Sequence, residues 1–153
     1  MTVSTTIDST RGVVTTNVAD DTTSVLTVST DVLLSSVASL LLKSSTVTPA
    51  GANQGAATGL SGDFTLYLLG AGAANTGVRL PAAPTLGQVV FILNTTVNDK
   101  RVYPATGGFI GASAVNVHIT LASMVAGTSR GGCLLVCSDA TSGATKWHHF
   151  AVA

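Results

Sequence analysis

The sequence contains no glutamate, and only 9% of its 153 residues are charged, against roughly a quarter in an average soluble domain. Seven basic residues balance seven acidic ones, so no net field draws in nucleic acid or an anionic membrane surface. Without glutamate, acid–base chemistry would fall to seven aspartates and three histidines. These are scattered, with no close pair in any one expected strand, which argues against an enzyme. Long apolar runs are also missing. The most apolar stretch, residues 32–42, is broken by Ser35, Ser36 and Ser39, whereas a spanning helix needs about 20 predominantly apolar residues. Residues 1–8 have neither a basic n-region nor an apolar h-region, so the expectation is a soluble chain made in the cytoplasm.

Only two cysteines are present, Cys133 and Cys137. On one strand they would point the same way about 13 Å apart, at ~3.3 Å per residue, too far for a mutual disulfide. Buried free thiols are expected. A metal pair would need further ligands, and none stands at suitable spacing, so no metal, cofactor or small-molecule substrate is expected.

What the chain does have is Ala, Thr, Ser, Val, Leu and Gly, with a mean hydropathy of +0.51. Solubility is normally kept by scattered surface charge. A chain this poor in charge relies on hydroxyls or buries much of its surface against partners. Residues 1–50 are rich in Thr, Ser and Val, with β-branched runs at 13–18 and 25–29 separated by Asp20 and Asp21. They read as an extended N-terminal arm or anchor. Residues 32–43 fit either a short helix capped by Asp31 or a strand. Residues 49–62 form a Gly/Ala-rich hinge or tight loop, the best boundary in the chain.

From residue 51 to 153 the pattern becomes regular. Apolar or alternating runs at 64–69, 76–80, 88–94, 101–103, 116–121, 133–137 and 146–152 are separated by turn signals such as Asn98-Asp99, Gly107-Gly108 and Ser142-Gly143. Strands at this spacing predict an all-β fold, a small β-sandwich or barrel. No internal repeat is evident. Leu80-Pro81 should end a strand, because proline cannot donate to a ladder. Tyr103 and Trp147 supply large apolar area in a chain only 5% aromatic, which makes them, with Leu80 and Pro81, candidate core or subunit-contact anchors.

Several of these positions form a recognisable series: Leu80-Pro81, Gly87, a strand at 89–94 closing on Asn94, Val102-Tyr103-Pro104, Gly107-Gly108-Phe109-Ile110, Leu121 and Trp147, with the polar lead-in 53–58 upstream. The series resembles a small β module that recurs in virion proteins of tailed bacteriophages, both capsid decoration (cement) proteins and fibres. It covers roughly the last two thirds of the chain and departs at Gly111, where the pattern has Asn. The resemblance implies a homotrimer-forming unit on the outer surface of a virion. Its expected function is structural: decorating and cementing a capsid by bridging neighbouring major capsid subunits. The alternative is a head-fibre or tail-fibre module that binds a host surface.

Three patterns imitate catalytic or ligand motifs. Gly127-Thr128-Ser129-Arg130-Gly131 matches a nucleophile elbow, with Asp139 and His148 following, but the serine precedes glycines and a strand-like run instead of a helix. Residues 70–75 half-match a dinucleotide fingerprint, lack its third glycine, and read as a hairpin turn. His148 and His149 are adjacent, so on a strand they face opposite sides.

Overall fold

The computed structural model describes residues 4–8, 13–17, 42–62, 65–124 and 131–152. Two compact units divide the chain, Met1–Leu40 and Leu41–Ala153. In the first, β1 (Ser4–Asp8) and β2 (Val13–Asn17) pair antiparallel, Ser4 opposite Asn17 and Asp8 opposite Val13. The run expected at 13–18 is therefore a strand over Val13–Asn17, and residue 18 lies outside the described residues. The run at 25–29, and all of 32–43 except Leu42 and Lys43, lie outside the described residues.

The second unit contains β3 (Ser44–Val47), β4 (Thr58–Gly59), β5 (Leu66–Leu69), β6 (Gly77–Arg79), β7 (Val89–Asn94), β8 (Lys100–Tyr103), β9 (Phe109–Ile110), β10 (Ile119–Leu121), β11 (Gly132–Asp139) and β12 (Lys146–Val152). The fold is all-β, and no helix occurs among the described residues. A six-stranded sheet has the order β3-β5-β7-β11-β12-β9, and a four-stranded sheet the order β10-β8-β6-β4. From β3 to β11 the chain changes sheet at every strand. Because β3, β5 and β7 run parallel in one sheet and β4, β6 and β8 parallel in the other, residues 44–103 form three turns of a flattened coil. Each coil turn takes over twenty residues in the large sheet, since Ser44 pairs with Leu66 and Leu66 with Phe91. The antiparallel strands β10, β11 and β12 then close the unit.

Both sheets feed one core. Tyr67, Leu69, Val90, Ile92, Cys133, Leu135, Cys137 and Trp147 enter it from the large sheet, and Val78, Leu80, Val102 and Leu121 from the small one or its margin. Strand side chains alternate across a sheet, which is why β5 and β7 contribute every second residue. The segment 49–62 is a tight loop: Leu60 is in the core, β4 pairs with β6, and Ala50 bridges Gly77. Ser44–Val47, which the sequence reading places in the arm, is an edge strand of the large sheet.

Two polar residues lock the turns. Asn94 is 0% exposed. Its Nδ2 donates to the backbone oxygens of Asn98 (2.9 Å), Ala122 (2.9 Å) and Leu121 (3.4 Å). Its Oδ1 accepts from Thr96 N (3.1 Å) and Thr96 Oγ1 (2.8 Å). Lys100, also 0% exposed, donates from Nζ to Gly72 O (2.7 Å), Ala73 O (2.8 Å) and Thr76 Oγ1 (3.3 Å). Burial pushes the Lys100 amine below its ordinary pKa. The 70–76 segment that the lysine holds is a crossing between sheets and not a hairpin turn, because β5 and β6 belong to different sheets.

Candidate functional site

The central strands of the large sheet are apolar on both faces. Its strands β5, β7 and β11 read Leu-Tyr-Leu-Leu, Val-Val-Phe-Ile-Leu-Asn and Gly-Cys-Leu-Leu-Val-Cys-Ser-Asp. Such continuous runs mark strands covered on two sides, whereas one wet face produces alternation. The register settles which side chains face outward. Leu66, Phe91, Leu134 and Phe150 stand in one row across β5, β7, β11 and β12. Leu68 beside Leu93, and Val89 beside Val136, form flanking rows. None of these belongs to the core cluster. Val89 is 36% and Phe150 57% exposed, and the others are half-buried. The charges on these strands lie at the far end, where Lys146 Nζ meets Asp139 Oδ2 at 3.7 Å. The Asp139 carboxyl is held below its usual range, chiefly by hydrogen bonding from Thr141.

The outer side of the small sheet is of opposite character. Arg79, Arg101, Tyr103 and His118 stand there, and the loop through Ala52 and Gln54 closes over them. Ala52 O accepts from Tyr103 Oη and Arg101 Nη1, both at 2.8 Å, and Gln54 O accepts from Arg79 Nη1 at 3.3 Å. Gln54 Nε2 donates to Pro104 O and Asn116 Oδ1, each at 2.9 Å. The His118 ring lies 5.1 Å from that of Tyr103, and burial together with the Arg101 charge lowers its pKa.

All four anchors expected from the sequence are buried. Leu80 and Trp147 are in the core cluster, each 1% exposed, and Tyr103 is 4% exposed under the 52–54 loop. Pro81 is buried next to Gly62. Trp147 Nε1 and Thr145 Oγ1 have no hydrogen-bond partner among the described residues. Beyond Pro81, a cleft of about 420 Å³ is lined by Arg79, Ala82, Ala105, Thr106, Ser142 and Gly143.

The motif-like patterns take the following places. Ser129 is outside the described residues, so the geometry of an elbow there is not on view. Asp139 is committed to Thr141 and Lys146. His148 and His149 pair with Val136 and Leu135, putting their side chains on opposite faces of the sheet. No cluster of three or more His, Cys, Asp or Glu suited to a metal ion occurs among the described residues. Cys133 and Cys137 are free, buried thiols on one strand. Gly111 adopts φ +58°, the left-handed region that glycine occupies readily. Its N–H donates to Trp147 O at 2.7 Å.

Sequence reasoning missed the outward rows. The signal was there, in apolar runs with no polar alternation, but choosing between inner and outer residues needed the strand register. No family model, curated protein or solved structure matches the chain.

Proposed function

We propose that this is a non-catalytic structural virion protein that decorates and cements a phage capsid, bridging neighbouring major capsid subunits as a homotrimer on the outer surface. The observation that carries this reading is the uncharged apolar outer face of the large sheet, beside the module-like series from Leu80 to Trp147. Contiguous apolar patches above a few hundred Å² mark protein–protein contact surfaces. A protein that works by permanent contact has use for such a face. Cementing needs no cofactor: a clamp that buries area across a seam raises the free energy of opening it, at ~25 cal/mol per Å² of apolar surface before association costs.

The cleft beside Arg79 favours a second reading, a head-fibre or tail-fibre module that binds a host surface. Arg79 and the hydroxyls of Thr106 and Ser142 offer hydrogen-bond donors to an anionic or hydroxylated ligand.

The test is to add the purified full chain to shells that lack it. Saturable co-sedimentation and a higher temperature of shell disruption are expected. Absence of binding to shells, with binding to host cells instead, would replace the cement reading with the fibre one.

A further inference from the structure

We infer that the outer face of the large sheet is the surface through which copies of this chain bind one another, with Phe91 and Leu134 at its centre. The inference rests on reading the protein as one that works by contact, and it names the partner of that face.

Three observations select a second copy. The first is charge. The rows through Leu66, Phe91, Leu134 and Phe150 carry none, so apposing two or three identical faces brings no like charges together. The small sheet presents Arg79 and Arg101 on its outer side without a carboxylate hydrogen-bonded or ion-paired to either among the described residues. Pairing that side with itself would oppose cations.

The second is composition. Interfaces between partners that separate are no more apolar than ordinary surface, whereas homomeric interfaces are distinctly more so. This face has only aliphatic and aromatic side chains in its middle, bordered by Ser44 and Thr46 on β3 and by His148 and the ion-paired Lys146 on β12.

The third is size. Four strands about 4.8 Å apart and five residues at ~3.3 Å cover roughly 400 Å² once side-chain margins are included. A stable interface takes about 800 Å² per partner. The patch therefore supplies the apolar centre of an interface whose rim comes from the sheet ends. Two sheets meeting face to face, or three around a common axis, both bury it, and closed symmetry is the usual result. Shell contacts then fall to other surfaces of the unit.

The experiment is light scattering of the purified full chain at micromolar concentration, with Phe91→Lys, Leu134→Lys and Phe150→Lys beside it. Phe150 is 57% exposed, so its replacement leaves the isolated fold undisturbed and keeps the test valid if a central variant misfolds. Thr120→Lys, on the exposed outer side of the small sheet, is the control. The expected result is a wild-type mass that is a multiple of 15.3 kDa, unchanged by Thr120→Lys and reduced two- to threefold by the face variants, with circular dichroism preserved. A wild-type monomer overturns the inference, whether another part of the chain or a shell subunit then covers the face. So does an oligomer that survives Phe150→Lys and whichever central variants fold. Shell binding by a monomer would sink this inference and keep the cement reading without its homotrimer. An oligomer dissociated by the face variants that never binds shells would do the reverse.

Discussion

Asn94 closes the 89–94 strand, and replacing its amide nitrogen by oxygen tests whether that residue is the bracket the geometry describes. In Asn94→Asp the shape is kept, but the atom that donates to Asn98 O and Ala122 O at 2.9 Å becomes an acceptor facing acceptors. A fully buried carboxyl has its pKa raised by up to about 3–5, and each unit is worth ~1.4 kcal/mol. The new carboxyl would have a folded-state pKa above its unfolded value of about 3.9. The folded variant therefore binds the extra proton, and stability present below about pH 4 is lost as pH rises towards the folded value. A shift of about 3 removes roughly 4 kcal/mol by pH 7, which in a chain of this length lowers the melting temperature by ~8–16 °C. Thermal melts by circular dichroism at pH 4 and pH 7, each against wild type, measure it. The deficit should be large at pH 7 and shrink at pH 4, leaving a remainder for the lost donor. A variant that melts within about 2 °C of wild type at pH 7, or whose deficit ignores pH, would refute the bracket.

Two further outcomes follow from the same geometry. Gly107→Ala should cost more than Gly143→Ala. Both positions have positive φ, but a methyl at 107 overlaps the Gly143 carbonyl oxygen, while one at 143 has nothing within 4 Å. The φ strain of ~1–2 kcal/mol is common to both, so the excess at 107 reports the overlap, and equal losses in urea midpoint would contradict the close approach. Cys133 and Cys137 should resist a thiol reagent at pH 8 until the chain is unfolded. Burial pushes Cys133 up to about 12 and raises Cys137 as well, and the thiolate is the reactive form. Rapid native labelling of either would place the thiol at the surface.

The all-β fold was legible because strands such as 89–94 and 146–152 carry their own β-branched and aromatic signal and are bounded by Gly, Pro or Asn. Where an end shifted, a local rule explains it. Asn116 takes φ +64° and belongs to the turn, so β10 starts only at Ile119. The two-residue strands Thr58–Gly59 and Phe109–Ile110 had no signal, being too short for any period to register. The parallel coil was hidden for a different reason. Its partners lie over twenty residues apart, and the core residues that meet across turns, such as Val47, Leu69 and Asn94, share no repeated identity. Lys100 could not be read as a core residue either. Its burial depends on carbonyl oxygens from the 70–76 crossing, which only the tertiary fold supplies.

The few charges bear on function through what they are already doing. Lys100 is wholly buried, Arg79 and Arg101 are bonded to loop carbonyls, Asp139 and Lys146 pair with each other, and Asp99 Oδ1 accepts from Ser123 N at 2.8 Å. A charge that is buried or ion-paired does little to keep a surface apart from its neighbours, whereas Arg79 and Arg101 still carry theirs on the small sheet. The large sheet is thus less protected than the chain's 9% charged content alone implies, and it turns an apolar face outward. Interspersed surface charge and small apolar patches are what hold a soluble monomer separate. The outer rows of β5, β7, β11 and β12 carry no such charge, and the self-association proposed above would bury them.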